Sequence, residues 1–338
     1  MRIEYDRKLD FDDVLIRPKR TRLKTRAEVD LVRTFKTPHC PFEVSGVPII
    51  AANMDSTGTL EVAKALAEHK AYTAIHKHYS LDELKAADLN PDYNFISFGL
   101  VEDISGINET MDALKDKGMN KICLDVANGY TEVFLDFVKK VRDNHPDTLI
   151  MAGNVATPDM TEALIIAGAD IVKIGIGPGS VCETRSVTGV GFPQLSAIIE
   201  CGDAAHGVGG QICGDGGCRT SGDVSKAFGA GADFVMLGGM LAGHAQCLNP
   251  EQLAALEENG NQVEYYGMSS TEAMNKYSGG VAKHRASEGR VQAVDFKGDI
   301  NDTMLAILGG IRSTCTYVGA SQLKELTKRT TFVVKYSK

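Results

Sequence analysis

The sequence predicts an α/β fold, namely a single (β/α)8 TIM barrel with an N-terminal arm and a flap insertion after the eighth strand. Eight short apolar segments recur, most of them starting 22 to 28 residues apart, and helical patterns lie between them. Near-continuous apolar strands that alternate with helices are typical of a parallel barrel. A doubly wound sheet is the alternative. It is disfavoured because the nearest match to G-x-G-x-x-G, which begins at Gly175, has Ser180 in place of the third glycine.

The length of 338 residues allows one large domain or two ordinary ones. We expect residues 1–338 to form a single barrel domain, with residues 1–45 as the N-terminal arm. The apolar segments of the arm, residues 5–9 and 12–16, are too short to form a core of their own. Residues 241–300, called the flap below, are long and irregular, which favours a lid over the catalytic face of the barrel.

The predicted elements follow the chain in strict alternation. The predicted strands are residues 48–54, 72–77, 94–100, 121–127, 149–155, 171–177, 211–217 and 234–240. The predicted helices are residues 59–69, 131–142, 158–167, 302–308 and 321–329. Thr157 is a candidate N-cap for the third of these helices, because Pro158 follows at the first helical position. The dipeptide Asn259-Gly260 predicts a hairpin within the flap.

The composition excludes several classes of protein. The net charge of −8 argues against general nucleic-acid binding, although residues 17–33 and 324–329 are rich in Lys and Arg. Those two stretches are either solvated faces or attract a phosphorylated ligand. Met1 leads straight into charged residues, which predicts no signal peptide, and no apolar run approaches the ~20 residues of a membrane helix. We therefore expect no membrane association.

The eight cysteines are scattered along the chain, which fits a reducing cytosol, so we expect a cytoplasmic protein. The only close pair is Cys213 and Cys218, and no histidine lies at metal-finger spacing from it. This spacing argues against a zinc site.

The stretch from 171 to 194 carries the strongest chemical signal. A buried strand runs into a glycine-rich loop that presents Cys182, Thr184 and Arg185. Glycine lets the backbone approach a ligand closely, and a nearby cation such as Arg185 would lower the pKa of a thiol and favour the nucleophilic thiolate. Taken alone, Cys182 is more simply a buried cysteine in a turn. Together, the residues of the stretch favour a catalytic site.

The ends of other predicted strands add polar and glycine residues to the same face. Gly216-Gly217 and Gly238-Gly239 close the seventh and eighth strands, where such barrels commonly bind phosphate. His76 and His78 flank Lys77, but a pair of histidines without a third ligand is more often a polar strand end than a metal site. The predicted ligand at this face is therefore a phosphorylated molecule.

Several motifs resemble those of the IMP dehydrogenase/GMP reductase family, and the resemblance covers almost the whole chain. They are GIGPGSVCETR (175–185), SGVPIIAANMD (45–55), YGMSS (266–270) and CGDGGCRTSGDVSKAFGAGADFVMLGGMLAG (213–243). The reductases of the family are the more similar branch, as HKHYS, DVANGY, RASEG and LKELTKRTTFV indicate. Only sixteen residues separate Lys77 from Asn94, too few for the regulatory CBS-type domains of the dehydrogenases. Their catalytic Arg-Tyr pair occurs nowhere in the chain.

The resemblance implies an NADPH-dependent oxidoreductase that converts GMP to IMP and ammonia through a covalent thioimidate on Cys182. Thr184 and Glu288 would handle the protons that let the amine depart. The family also implies a homotetramer. His284 is a departure, because relatives often have Tyr at this position.

The resemblance assigns further residues to each ligand. Substrate-binding residues would be Asp215, Gly216, Gly217, Gly238, Gly239, Gly267, Met268, Ser269, Arg285, Ala286, Ser287 and Gly289. Cofactor-binding residues would be Thr25, Arg26, Lys77, Asp125, Val126, Ala127, Gly177, His284, Ser313, Thr314, Cys315 and Thr316, some of them from a neighbouring subunit. A potassium ion would lie near Gly177, Gly179, Cys182 and Arg185.

Three other interpretations remain. An IMP dehydrogenase that lacks its regulatory domains would share most of these motifs. A non-catalytic nucleotide-binding barrel would need no nucleophile, so the set Cys182, Thr184 and Glu288 argues against it. An unrelated barrel lyase would use Lys77 as a Schiff base.

Overall fold

A closed barrel of eight parallel strands forms the centre of the computed structural model, which describes residues 3–280, 282 and 286–335. Two arm strands precede it, β1 (Val14–Ile16) and β2 (Arg33–Phe35). The barrel strands are β3 (Val44–Ala51), β4 (Ala71–Ile75), β5 (Asn94–Phe98), β6 (Lys121–Asp125), β7 (Leu149–Val155), β8 (Ile171–Ile174), β9 (Gln211–Asp215) and β10 (Phe234–Leu237). Because β10 pairs in parallel with both β9 and β3, the sheet closes, and the predicted (β/α)8 barrel is confirmed.

Helices alternate with the barrel strands and surround them. They are α1 (Leu60–Glu68), α2 (Leu81–Ala86), α3 (Ser105–Leu114), α4 (Glu132–Asn144), α5 (Pro158–Ile166), α6 (Thr184–Thr188), α7 (Gln194–Gly207), α8 (Ser221–Ala230), α9 (Pro250–Ala254), α10 (Thr271–Ser278), α11 (Ile300–Val318) and α12 (Leu326–Arg329). Among the described residues, no helix combines the length and the apolar character needed to cross a membrane.

The interior of the barrel is filled with apolar side chains near its amino end. The ring of Tyr72 on β4 meets the ring of Phe234 on β10 edge-on, with 5.7 Å between their centroids. Phe35 of the arm packs against Phe234 from below, at 4.5 Å. Burying one such side chain stabilises the fold by about 1.5–3 kcal/mol. The arm therefore plugs the amino end of the barrel, which leaves the carboxyl end for ligands.

The predicted strands and the observed ones differ mainly at their ends. β7 has the predicted bounds, whereas β8 ends at Ile174, three residues earlier than predicted. Gly177 (φ 79°) lies just beyond β8 in a left-handed conformation that L side chains rarely adopt, so the extended strand cannot continue there. The residues that follow β8 therefore leave the hydrogen-bonded sheet and form a loop at the carboxyl end of the barrel.

Two local predictions were wrong. The hairpin does not form at Asn259-Gly260, because β11 (Gln262–Tyr266) starts after this turn and pairs with the distant β12 (Val291–Asp295). Helix α11 is much longer than the predicted helix 302–308. The prediction of Thr157 as the N-cap of α5 is confirmed, with Pro158 in the first turn, but the Thr157 side chain accepts no hydrogen bond from that turn; the Tyr130 hydroxyl donates to it instead, at 3.0 Å.

The two ends of the described chain meet on the outside of the barrel. Strand β1 pairs antiparallel with β13 (Phe332–Val334), and Leu15 lies opposite Val333. The flap, in contrast, crosses the carboxyl end, where β11 and β12 form a two-stranded antiparallel ribbon. Segment 267–270 follows β11 and segment 286–290 precedes β12, so both leave the same end of the ribbon and lie over the mouth of the barrel.

Candidate active site

A cavity of about 250 Å³ opens at the carboxyl end of the barrel beneath the flap. Most residues assigned from sequence to the catalytic centre and the nucleotide line it. These are Cys182, Thr184, Glu288, Asp215, Gly216, Gly217, Gly238, Gly239, Gly267, Met268 and Ser269. The cavity therefore brings together the strand ends and the flap, as the position of active sites in such barrels requires.

Cys182 lies at the tip of the loop that joins β8 to α6. Its backbone N–H donates to the carbonyl of Gly179 at 3.1 Å, which closes a tight turn, and its side chain is half-buried. The thiol therefore stays accessible to a ligand in the cavity while the backbone holds it in place.

A chain of hydrogen bonds joins the thiol to a carboxylate. The Cys182 thiol donates to Thr184 Oγ1 at 3.3 Å, and the Thr184 hydroxyl donates to Glu288 Oε2 at 2.8 Å. The flap segment is fixed at this point, because the Glu288 N–H donates to the Ser269 carbonyl and its carbonyl accepts from Glu183 N at 2.7 Å. This chain of hydrogen bonds can pass a proton between the carboxyl group of Glu288 and a ligand bound beside Cys182.

The guanidinium of Arg185 is engaged elsewhere than at the thiol. It donates to the Asp10 carboxylate at 3.2 Å and to the Phe192 carbonyl at 2.5 Å. The charge of Arg185 is therefore paired with the Asp10 carboxylate. Its role in the structure is to hold the loop.

Lys173, which sequence reasoning missed, lies at the floor of the cavity. Its ammonium group is 2% exposed, forms an ion pair with Asp125, and lies 3.2 Å from both Asp215 Oδ2 and Asn53 Oδ1. The signal was present in the sequence, since Lys173 is a charged residue within an otherwise apolar buried strand, where unpaired charges are almost never found. Lys173 thus links a residue assigned to the cofactor with one assigned to the nucleotide.

The ionic contacts of Lys173 control its own charge and that of Asp125. Burial alone would lower the pKa of Lys173, but Asp125 and Asp215 outweigh it and hold the pKa well above its usual value. Burial alone would raise the pKa of Asp125, and the charge of Lys173 reverses this and lowers it. The two groups are therefore both ionised throughout the neutral range.

The glycine pairs leave no room for side chains beside the cavity. A Cβ on Gly238 would lie 2.7 Å from the Tyr265 hydroxyl, and one on Gly239 would lie 3.0 Å from Ser180 Oγ. Gly216 (φ 87°) and Gly217 (φ 86°) form a turn in a left-handed conformation that favours glycine. The backbone N–H groups of such a turn suit a phosphate group.

Asp215, the last residue of β9, precedes the first glycine pair and is held by two side-chain amides. Asn154 Nδ2 donates to its carboxylate at 2.9 Å, and Gln194 Nε2 donates to its carbonyl at 3.1 Å. With Lys173 on the same carboxylate, the side chain of Asp215 is fixed before any ligand arrives.

The other residues assigned to the nucleotide lie in the flap segment that carries Glu288. Gly289 forms isolated bridges with both Cys182 and Ser270, and the Ser287 hydroxyl donates to the Gly289 carbonyl at 3.0 Å. Ala286 is exposed. Arg285 and His284 lie outside the described residues.

The residues assigned to the cofactor fall into two separate groups. Asp125, Val126, Ala127 and Gly177 line the cavity. Thr25, Arg26 and Thr316 instead line another groove, of about 520 Å³, between the arm and α11. Ser313, Thr314 and Cys315 also belong to α11, and the Cys315 side chain is buried. Lys77 is exposed, at the end of β4.

The residues assigned to potassium also border the cavity. Gly177, Gly179 and Cys182 line it, whereas Arg185 lies behind the loop. Within the described ranges, no group of three or more His, Cys, Asp or Glu residues is arranged to hold a metal ion. The loop offers backbone carbonyl oxygens instead, which are ligands for a hard cation.

A buried carboxylate fastens the flap to the barrel, a feature that sequence reasoning also missed. Asp55 Oδ2 accepts hydrogen bonds from the Tyr266 hydroxyl at 2.5 Å, Lys276 Nζ at 2.8 Å and the Tyr277 hydroxyl at 2.6 Å. Burial would raise the pKa of Asp55, but Lys276 and the two tyrosines hold it below its usual value. The ring of His78 stacks on Tyr277 at 3.4 Å. Tyr266 and Tyr277 precede and follow segment 267–270, so their hydrogen bonds to Asp55 hold both ends of this part of the flap against the barrel.

The fold and the site together define a (β/α)8-barrel enzyme with a half-buried cysteine, Cys182, in the cavity at the carboxyl end of the barrel. A family model described as the IMP dehydrogenase / GMP reductase domain matches residues 93–338. The chain belongs to the IMP dehydrogenase/GMP reductase family.

Curated relatives align with nearly the whole chain. The GMP reductase of Shewanella pealeana is 57% identical over 338 residues, which cover 98% of this chain and 96% of the relative. GMP reductase 1 of Mus musculus and GMP reductase 1 of Homo sapiens are each 55% identical, with the same coverage of 98% and 96%. The similarity therefore extends over the arm, the barrel and the flap alike.

Replacing Lys173 with methionine should leave Asp125 and Asp215 without their counter-charge. We expect Lys173→Met to lower the free energy of unfolding by about 3–5 kcal/mol at pH 7. Lys173 holds the pKa of Asp125 below its usual value, so in the variant this pKa should rise, and the deficit should shrink as the pH falls and Asp125 becomes protonated. Urea unfolding of both proteins between pH 5 and pH 8 measures this.

Arg142→Met is the matched control, because Arg142 forms a buried ion pair with Asp170 (2.6 Å) away from the cavity. Arg142→Met should lower the free energy of unfolding without weakening nucleotide binding. Lys173→Met should lower the free energy of unfolding and also weaken nucleotide binding. A Lys173→Met deficit that does not change with pH would contradict the assignment of the charges.

Proposed function

We propose that the protein is a GMP reductase that catalyses the NADPH-dependent reductive deamination of GMP to IMP, with release of ammonia. The single observation that carries the proposal is the hydrogen-bonded chain from Cys182 through Thr184 to Glu288 beneath the flap. The relatives named GMP reductase, similar over nearly the whole chain, support the choice of substrate.

The proposed reaction balances as GMP, NADPH and one proton giving IMP, ammonia and NADP⁺. The Cys182 thiolate adds to C2 of the purine and forms a carbon–sulfur bond. Glu288 supplies a proton through the Thr184 hydroxyl, the C2–N bond breaks, and ammonia leaves a thioimidate on Cys182. Once C2 has gained a hydride, the carbon–sulfur bond breaks and the thiolate is regenerated. A polarisable sulfur suits both steps, because it must add to carbon and leave again.

The geometry fits the proposed ligands. Gly216, Gly217, Gly238 and Gly239 offer the backbone donors for the phosphate of GMP, and Asp215 offers a fixed acceptor for its ribose hydroxyls. NADPH, when bound, supplies the hydride. The wall formed by residues 125–127 lies in the same cavity as Cys182, which suits the nicotinamide end.

The second group of cofactor residues supports a homotetramer. Thr25, Arg26 and Thr316 line a groove separate from the cavity, so they would serve the cofactor of a neighbouring subunit. Residues 25 and 26 belong to the arm, which contacts α11 on the outside of the barrel. In the proposed assembly, the far end of NADPH would lie between two protomers.

An IMP dehydrogenase without regulatory domains is the second candidate. The site shares the nucleophile and the glycine pairs with that activity, but no Arg-Tyr dipeptide occurs in the sequence to activate water. The deciding experiment follows NADPH absorbance at 340 nm after GMP is added, with IMP and NAD⁺ in a parallel assay. Oxidation of NADPH by GMP supports the reductase, and formation of XMP in the parallel assay would favour the dehydrogenase.

We expect Cys182→Ala to abolish NADPH oxidation and to change the Kd of GMP by less than about threefold, because the phosphate donors do not involve the thiol. Calorimetric titration with GMP and the absorbance assay measure the two effects. Cys201→Ala, at a buried cysteine of α7, is the control and should remain active. Measurable turnover by Cys182→Ala would exclude the covalent route.

Replacing Glu288 with glutamine keeps the shape and removes the proton donor. Losing one acid–base group typically slows a step by about 10²–10⁴-fold, so we expect release of ammonia from GMP to slow by this factor, with a smaller effect on hydride transfer. Single-turnover rates with GMP and with a 2-chloropurine nucleotide, whose leaving group needs no proton, separate the steps. Glu183→Gln is the control. Equal slowing of both substrates would make Glu288 a positioning residue of the flap.

Potassium is proposed to bind the carbonyl oxygens of the Gly177–Cys182 loop and to keep the loop in its active shape. The loop offers oxygen ligands of the kind that a hard cation prefers. We therefore expect turnover to require K⁺ when a bulky organic cation maintains the ionic strength. Equal rates in the two salts, after contaminating K⁺ has been removed, would argue against the ion.

A further inference from the structure

Four residues of the arm, Lys8–Phe11, run along the amino end of α7 and are called the strap. Leu9 exchanges two hydrogen bonds with Ser196: its N–H donates to Ser196 Oγ at 2.8 Å, and its carbonyl accepts from Ser196 N at 3.1 Å. Lys8 Nζ lies 2.6 Å from Glu200 Oε1, one turn further along α7. The strap is therefore fixed to the first turns of α7.

Asp10 of the strap bridges two parts of the site. Its Oδ1 accepts from the Gln194 N–H at 2.6 Å, at the first residue of α7, and its Oδ2 accepts from Arg185 Nη1 at 3.2 Å. A carboxylate at the N-terminus of a helix is stabilised by the exposed N–H groups there. The same carboxylate thus caps α7 and anchors the cation that follows Cys182 by three residues.

Arg185 closes the loop that carries the nucleophile. Its guanidinium donates to the Phe192 carbonyl at 2.5 Å, and a Cβ on Gly177 or Gly191 would lie 2.5 or 2.6 Å from its Cγ. The side chain therefore packs between the backbone at the beginning and the end of the loop. Because Asp10 holds the guanidinium, the strap determines where this loop stands.

Phe11, at the other end of the strap, supports the second half of the site. Its ring is 3% exposed, and a Cβ on Gly217 would lie 3.3 Å from Cε2 of the ring. Lys226 Nζ donates to the Phe11 carbonyl at 2.9 Å. The ring packs directly against the Gly216-Gly217 turn, which is assigned to the phosphate, so the size of the ring determines the position of that turn.

We propose that the strap positions the two halves of the active site independently: Asp10 orients the Cys182 loop through Arg185, and Phe11 supports the Gly216-Gly217 turn. Neither residue lines the cavity, so both are positioning residues rather than catalytic ones. The inference deepens the proposed function and rests on it for its kinetic readout.

Asp10→Asn tests the first half. An asparagine side chain has one acceptor oxygen, so it can cap α7 as well as aspartate does but cannot also bind Arg185. We expect kcat to fall about 10-fold, since small misplacements of a nucleophile are costly, with the Kd of GMP within about twofold of the wild type. The melting temperature should change little, because the cap is retained.

Phe11→Leu tests the support of the Gly216-Gly217 turn and should affect mainly the Kd of GMP rather than kcat. The smaller side chain leaves space beneath Gly217, so we expect the Kd of GMP to rise about 10-fold, with a smaller change in kcat. Asp12→Asn is the matched control on the same arm, because Asp12 forms a surface ion pair with Arg219 at 3.4 Å and both side chains are largely exposed. It should leave both parameters unchanged, and Asp10→Glu should recover part of the lost kcat.

The proposal is overturned if Asp10→Asn turns over like the wild type, or if Asp10→Asn and Phe11→Leu change the same parameter. A readout that needs no turnover separates this failure from failure of the proposed function. Mass spectrometry follows alkylation of Cys182 by iodoacetamide, which should be at least about threefold faster in Asp10→Asn than in Asp12→Asn, because the loop loses its anchor. Equal alkylation rates would overturn the proposal even for an enzyme with another substrate.

Discussion

The site depends on the ion pairs that the ammonium group of Lys173 forms with Asp125 and Asp215 at the floor of the cavity. Lys173 is enclosed by the barrel, and a buried ion of this kind persists only when opposite charges and hydrogen bonds surround it. Asp125 at the end of β6 and Asp215 at the end of β9 supply the charges. Their side chains are thereby fixed in direction and in ionisation before any ligand binds, so binding needs no reorganisation of the floor.

The chemistry above this floor comes from two long connections of the barrel. The loop after β8 carries Cys182 and Thr184, and the flap after β10 carries Glu288. Each is held by a separate carboxylate: Asp10 holds the loop through Arg185, and Asp55 holds the flap through Tyr266, Lys276 and Tyr277. The barrel itself is closed, so these two anchors decide how closely Cys182 and Glu288 approach each other.

The architecture was predictable because each part of it is repeated in the sequence. Eight apolar segments at regular spacing specify a closed parallel sheet, and the cysteine in its glycine-rich loop marks the catalytic end. Lys173, Asp55 and Asp10 were missed for a different reason. Each acts through partners on remote parts of the chain, such as Tyr277 for Asp55 and Arg185 for Asp10. Spacing along the chain carries no information about such pairs, whereas Asn259-Gly260 shows that a local turn signal does not decide which strands pair.

The hydrogen bond between Thr184 and Glu288 joins residues 104 positions apart, and few backbone contacts hold Glu288 against the barrel. The segment that bears it, residues 286–290, is only partly buried and packs on the rim, so we expect its release to require less free energy than the separation of two barrel strands. We therefore expect activity to be lost at a lower concentration of denaturant than the fold. At a low concentration of denaturant, an intact barrel by circular dichroism can coexist with a dismantled catalytic set, and residual activity measures the docking of the flap rather than the folding of the chain.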